Sequence, residues 1–333
     1  MPTVTMRRKV RERRGTVTAT LLASALTAAL AAGCSSPGGR DDSRAPDTRQ
    51  PSTPAEATTP PAPPVLAVKI DNVPAAKPQT GLDAADIVYV EQVEAGLTRL
   101  MAVYATELPE TVGPVRSARE SDLELLRQFP DPTLAFSGAQ SKLLPLIDQA
   151  PLDAQPPERT AGAYFRSPNR PAPHNLYLRP DRLMPSAPGA EALTVTGFRY
   201  GEAPMGGTAD TSETVRYPAT RFTFTWSEKQ EGWQVAQDGR PTVTSDGERI
   251  APATVVVQYV PIRKSEFHDY LGNYTPYTET VGSGRAKVLR DGRAYDVEWK
   301  RPTAEDGTEF TTADGDPVNF AEGQVWVVFA KAG

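Results

Sequence analysis

The chain has 333 residues, with 36 basic and 41 acidic side chains, 39% hydrophobic residues and a single cysteine, Cys34. No heptad or three-residue period runs through it, and its 4 Trp, 11 Tyr and 10 Phe gather after residue 85, which excludes a coiled coil, collagen and a wholly disordered chain. Residues 1–33 hold six bases (Arg7, Arg8, Lys9, Arg11, Arg13, Arg14) and one acid (Glu12), leaving 30 bases against 40 acids, a net of −10, in the rest; so acidic a body lacks the clustered positive charge of nonspecific nucleic-acid binding.

Met1 to Arg14 is basic, and Val17 to Ala32 is uncharged and rich in Leu and Ala. That run is too short to span a bilayer comfortably, which takes roughly 20 apolar residues, and its basic, apolar, small-residue order is that of a secretory signal. It ends Leu30-Ala31-Ala32-Gly33-Cys34, which resembles a bacterial lipobox with Leu one place earlier than in the commonest arrangement. Residues 1–33 are therefore expected to be removed. Cys34 is then the lipid-attachment site, with palmitate-type acyl chains each contributing about 0.8 kcal/mol per buried methylene. Residues 34–64 read as a disordered tether. From Ser35 to Pro64 eight of 30 residues are Pro, and none is Val, Ile, Leu, Met or aromatic, so nothing there offsets chain entropy. The tether spans roughly 30 Å as a coil and about 90 Å as extended polyproline. The expected location is the extracytoplasmic face of the cell membrane, with the membrane as partner through the anchor.

From Val65 the patterning changes. Leu66–Ile70, Asp86–Val93 and Thr98–Thr106 read as strands, and Glu94-Ala95-Gly96-Leu97 is a hairpin signal in which Gly96 can take a positive φ. With Ala95-Gly96 as the turn, Gln92 faces Arg99 and Glu91 faces Leu100, on the face opposite Arg99. Ser117-Ala118-Arg119-Glu120 has capping-box spacing. The apolar side of the helix it starts is Leu123, Leu125, Leu126 and Phe129, and Pro130 follows. Pro132–Ser137 is another buried strand, and Leu143–Gln149 a second helix with Pro145 in its first turn. Pro151–Pro188 is Pro-rich and irregular. After Gly201–Glu213, which lacks periodicity, strands are expected at Arg221–Trp226, Trp233–Ala236, Thr254–Val260, Ala286–Leu289, Ala294–Trp299 and Val325–Phe329. Asp-Gly turns at 238, 246, 291 and 306 separate several of them. The expected fold is α+β. An N-terminal domain of strands and helices spans 65–200 and a linker 201–214. A smaller, mostly antiparallel β domain follows at 215–333.

The strongest chemical constellation is Gly113-Pro114-Val115-Arg116-Ser117-Ala118-Arg119, where two guanidiniums bracket a helix start. Arg forks match carboxylate or phosphate in a bidentate way, so Arg99, Arg116, Ser117 and Arg119, with Asn72 and Asn175, are the candidate ligand-binding residues for an anionic envelope ligand. The alternative is that the guanidiniums neutralise local acids such as Asp86 or Glu94. His174 lies in Arg170-Pro171-Ala172-Pro173-His174-Asn175, whose prolines stiffen the approach. It is either a general base, with Asp71, Glu91 or Asp122 available as its acidic partner, or a structural histidine. The catalytic candidates are therefore His174, Asp71 and Glu91. No HExxH or cysteine-pair spacing supports a metal, no Gly-x-Ser-x-Gly elbow surrounds Ser117 or Ser137, and no cofactor is implied. His268 is expected on a loop. Tyr259, Tyr270, Tyr274 and Tyr277 fit a sugar-stacking surface or ordinary packing alike.

Several motifs follow one another in order: Val68-Lys69-Ile70-Asp71-Asn72, Pro78-Gln79-Thr80-Gly81-Leu82, Ala85-Asp86-Ile87-Val88-Tyr89, Glu94-Ala95-Gly96-Leu97-Thr98-Arg99, Gly113–Arg119 and Ala172-Pro173-His174-Asn175-Leu176-Tyr177. This series resembles the YerB-like bacterial lipoproteins, a two-domain family of unknown function, over roughly residues 65–330. Val255–Gln258, Val281–Gly284, Trp299-Lys300 and Gly323–Trp326 extend the likeness more loosely. The family pattern carries a His-containing segment where this chain has Pro241-Thr242-Val243-Thr244, which speaks against a metal role for the C-terminal half. The resemblance implies an α+β N-terminal domain with layered sheets and helices, a β-rich second domain, and no reaction. Two readings of function remain: a lipid-anchored binding or scaffold protein, and an envelope hydrolase or transferase using His174 with an acidic partner.

Overall fold

The computed structural model describes residues 62–269 and 271–333. The expected signal sequence, Cys34 and the tether up to residue 61 lie outside them.

Runs of Val, Ile, Leu and Ala favour strands where both faces are covered, and they build β1 (Leu66–Asp71), β2 (Ile87–Gln92), β3 (Thr98–Tyr104) and β4 (Thr133–Ala135). Two short helices, α1 (Glu120–Leu126) and α2 (Leu144–Gln149), precede β5 (Asp153–Gln155), β6 (Tyr164–Arg166) and β7 (Leu176–Leu178). The second half supplies β8 (Thr208–Ala209), β9 (Ser212–Arg216), β10 (Arg221–Ser227), β11 (Gly232–Gln237), β12 (Arg240–Pro241) and β13 (Thr254–Val260). It ends with β14 (Ile262–His268), β15 (Tyr274–Thr278), β16 (Gly282–Arg290), β17 (Arg293–Arg301), β18 (Glu309–Thr311) and β19 (Val325–Lys331).

The described residues are mostly β, 40% strand and 12% helix, around a mixed sheet. The layered α+β expectation therefore holds only loosely. Pro130 stops α1 after two turns, and the Pro-rich stretch after α2 forms single 3-10 turns where longer helices would be needed. One sheet of eleven strands runs β18-β17-β16-β13-β19-β2-β3-β1-β4-β5, with β8 beside β17. The final strand, β19, lies parallel to both β13 and β2, pairing Val327 with Val256 on one side and Tyr89 on the other. Strands from both halves thus share one hydrogen-bonded sheet, and the stretch 201–214, expected as a connection, contributes β8 and the start of β9.

Alternate residues feed two cores. On one face Leu66, Val68, Val88, Leu100, Val257 and Trp326 pack under a four-stranded sheet, β12-β11-β10-β9, that brings Phe222, Phe224 and Trp233. On the other, Ala67, Tyr89, Met101, Val327 and Phe329 pack under Leu125, Leu126, Phe129 and Ile147 of the helical layer. A seven-residue helix is unstable alone. The second half pins α1: buried Arg301 donates to the Glu124 and Leu125 carbonyls at its C-terminal end (3.0 and 3.3 Å), and the Glu124 carboxylate accepts from Thr280 N, Thr280 Oγ1 and Tyr277 OH. These bonds satisfy carbonyls that a helix end leaves open.

Three local expectations are corrected. The hairpin turn is three residues, Glu94–Gly96, because Ala95 (φ 56°) joins Gly96 (φ 71°) in the left-handed region. The register moves by one, so Glu91 faces Arg99 and Val90 faces Leu100. Helix α1 starts at Glu120 with Arg119 as its N-cap, and the carboxylate that accepts the Arg119 N–H is Asp122 (2.6 Å). His268 closes strand β14 where a loop was expected, opposite Tyr274 in β15.

Candidate functional site

The corrected register sets Asp71, Arg99 and Glu91 side by side across β1, β3 and β2, on the helix-covered face and at one end of the strands. The Gly113–Arg116 segment threads past β1, with Asp71 N donating to Pro114 O (2.9 Å), Arg116 N to Lys69 O (2.7 Å) and Val115 N to Leu176 O (2.7 Å) at the start of β7. It thereby carries Arg116 to the C-terminal end of β1, while the loop before β7 brings His174 from the other side. Asp71, 2% exposed, accepts a hydrogen bond from His174 Nδ1 at 2.8 Å and forms an ion pair with Arg116 Nε at 3.1 Å. The imidazole and the guanidinium are 21% and 25% exposed. A buried carboxylate thus positions two half-exposed groups, one ring and one fork.

The His174 loop is held from behind. Arg170 donates to Ala76 O and to Pro78 O (2.7 Å). Asn175 takes Arg166 Nη1 on its carbonyl (2.7 Å) and gives Nδ2 to Ser167 O (3.3 Å), closing the loop on itself. Asn72 donates to Thr98 Oγ1 (2.8 Å) and accepts from Gln79 Nε2 (2.9 Å). Both asparagines, candidates for ligand contact, are engaged inside the protein.

The remaining candidates lie deeper or elsewhere. Arg99 donates to Ser117 O (2.8 Å). Burial, reinforced by the neighbouring Arg119 charge, lowers its pKa to about 9, so it stays cationic at neutral pH. Arg119 pairs with Glu94 (2.7 Å), whose other oxygen accepts from Thr275 Oγ1 (2.6 Å). Burial alone would raise the Glu94 pKa; the Arg119 and Thr275 bonds outweigh it, and the net shift is downward. Ser117 and Arg119 line a small cavity of about 340 Å³ with Glu120, Phe267 and His268. The guanidiniums therefore divide: Arg116 goes with His174 over Asp71, Arg119 neutralises Glu94, and Arg99 is interior. Glu91 joins a different group. Lys69, fully buried, is hydrogen-bonded by Glu91 and by Asp122 Oδ1 (2.6 Å), both also buried.

The comparisons with known proteins bear on the whole chain. The N-terminal and C-terminal domain models of the protein family of unknown function DUF3048 match residues 52–193 and 213–327. The chain belongs to this family. It is similar to YerB of Bacillus subtilis (strain 168), provisionally named a lipoprotein, at 27% identity over 79% of this chain and 80% of YerB. The crystal structure of YerB superposes with a TM-score of 0.64 at 22% identity, covering 80% of this chain and 90% of the solved one, which extends the family likeness to the fold. The resemblance drawn from the motifs is thus shown. The family carries two domains and brings no reaction, so the chemistry of the site rests on its own geometry.

That geometry suits two tasks. Asp71 fixes the imidazole through Nδ1, and Nε2 takes no hydrogen bond among the described residues, which is the arrangement an acid–base histidine needs. Arg116 beside it offers further donors to a carboxylate or phosphate oxygen. Lys69, a buried cation in the apolar run Leu66-Ala67-Val68-Lys69-Ile70, was not singled out from the sequence. Its signal was there: a lysine among apolar neighbours on both sides must find a carboxylate if the strand is covered.

Proposed function

We propose that this protein is a lipid-anchored, extracytoplasmic envelope lipoprotein that binds an anionic ligand through Arg116 and His174 at the C-terminal end of β1. The observation that carries the reading is the pairing of both groups with one buried carboxylate, Asp71. The carboxylate holds the fork and the ring in place before ligand arrives, so little ordering entropy is lost on binding. Anchoring at Cys34 is supported by the lipobox-like Leu30–Cys34 sequence and by the lipoprotein name of YerB. Thermal shift with anionic and neutral envelope fragments tests the site. Stabilisation by anions that disappears in Arg116→Ala and His174→Ala supports it, and an unchanged response in both variants refutes it. Membrane fractionation of Cys34→Ala tests the anchor: the variant is expected in the soluble extracytoplasmic fraction, and membrane retention equal to wild type would contradict it.

A second reading, hydrolysis or group transfer with His174 as base, is favoured by the 2.8 Å His174–Asp71 hydrogen bond. Turnover of an envelope substrate lost in both His174→Ala and Asp71→Asn would support it over binding alone.

A further inference from the structure

A second cavity, of about 500 Å³, opens where the segment Pro74–Gln79 of the first half meets residues 237–243 of the second. Its size falls within the roughly 300–1,000 Å³ typical of small-molecule sites. Pro74, Pro78 and Pro241 give it rigid apolar walls. Two of its lining side chains carry buried polar atoms without a partner: Gln79 Oε1 and Thr242 Oγ1, in residues only 1% and 3% exposed. Gln79 cannot turn to cure this, because its Nε2 is committed to Asp71 O (3.2 Å) and Asn72 Oδ1 (2.9 Å). Buried polar atoms are nearly always hydrogen-bonded, and an orphan destabilises the fold. Two such orphans beneath the wall of one cavity are groups waiting for a donor.

The same cavity holds two cations. Lys77 Nζ donates to Gln237 Oε1, leaving two of its three N–H groups free. Gln237 in turn donates a hydrogen bond from Nε2 to Asn72 O (3.1 Å), which fixes the lysine's mount. Arg240, on β12, is exposed and enters no ion pair among the described residues. Asp238, the one acid in the lining, is engaged by the Arg221 N–H (2.8 Å). Two cations, an unpaired acceptor and an unpaired hydroxyl thus belong to residues lining one cavity.

We infer that this cavity binds a small organic anion that also presents an amide or hydroxyl donor: its acid meets Lys77 and Arg240, and its donor meets Gln79 Oε1 and the Thr242 hydroxyl. The site is separate from the one formed by Asp71, Arg116 and His174, and the inference stands without it. N-acetylmuramic acid, which has a carboxylate, an amide N–H and hydroxyls on one ring, is the probe. N-acetylglucosamine is its uncharged counterpart.

The test is calorimetric titration of the full mature chain and its variants. The acid is expected to bind at least tenfold more tightly than the neutral sugar. Lys77→Met and Arg240→Ala should each weaken it about tenfold. Thr242→Val, nearly the same shape, should weaken binding severalfold without lowering the melting temperature of the free protein, because the lost hydroxyl had no partner there. Absence of binding at millimolar concentration, equal binding of the two sugars, or a destabilised free Thr242→Val protein each overturns the inference.

Discussion

The buried cluster of Lys69, Glu91 and Asp122 has one cation for two carboxylates, all within 1% of full burial. With every group ionised it would hold a net negative charge where no water reaches it, a costly state. A proton on Glu91 relieves it. Burial raises the Glu91 pKa, Lys69 opposes that, and the adjacent Asp122 charge raises it further, with the net shift upward. The perturbation is Glu91→Gln, which makes the neutral form permanent while still offering Lys69 an oxygen. At neutral pH the folded protein then holds a proton that the unfolded chain has released. Stability therefore falls as pH rises, by about 1.4 kcal/mol per unit for one proton. The fall begins above the ordinary carboxylate pKa and ends once the folded carboxyl itself ionises. Wild type should lose roughly 2–3 kcal/mol relative to Glu91→Gln between about pH 5 and pH 7. At pH 5 the substitution itself should cost under about 1 kcal/mol, since it breaks no charged pair, so at pH 7 the variant should be the more stable of the two by about 1–3 kcal/mol. By contrast, Lys69→Met leaves the buried Asp122 carboxylate without its cation and should cost about 3–5 kcal/mol. Urea unfolding of the full mature chain at both pH values measures all three. A wild-type-to-variant difference that does not change with pH, together with a cost above about 3 kcal/mol for Glu91→Gln, would show Glu91 to be ionised and refute the reasoning.

Gly96→Ala should destabilise by more than about 1 kcal/mol in thermal unfolding: its φ is 71°, and a Cβ would lie 2.5 Å from Pro218 Cβ. An unchanged melting temperature would mean that the turn relaxes. Trp326→Ala empties a fully buried site between Phe222 and Phe224 and should cost about 3–5 kcal/mol by denaturant titration. Arg301→Met removes the donor to the end of α1 and to Thr280 Oγ1 (2.7 Å), and should cost about 3 kcal/mol while exposing α1 amides to faster hydrogen exchange. Retained protection there would show that α1 is held by its apolar side alone.

The strands of the first half were legible because their residues are apolar on both faces, a pattern that strand geometry alone accommodates at that length. The hairpin was legible too, since Gly96 marks it, but its register was not. Whether Ala95 also takes a positive φ depends on Pro218 and Ala219 packing against the turn: Ala219 N donates to Gly96 O (3.0 Å). Strands β14, β15 and β18 escaped notice because their outward residues are charged or polar and each run has few apolar positions. At the candidate site, the residue types were legible and the pairing was not. Asp71 and His174 were both named, and so was Glu94 as an acid for the guanidiniums, yet the place of Glu91 beside Lys69 and opposite Arg99 turns on a one-residue shift in the hairpin.

By itself the sequence determined the family, the positions of most strands and the short list of chemical groups, because each of these is written in local composition and spacing. Tertiary structure decided that β19 enters between β13 and β2 and joins the halves in one sheet. It also decided which acid meets which base, and where polar atoms are left without partners. Parallel pairing leaves no local mark on the strands that join, and a contact such as His174 to Asp71, 103 residues apart, exists only once the intervening chain has packed.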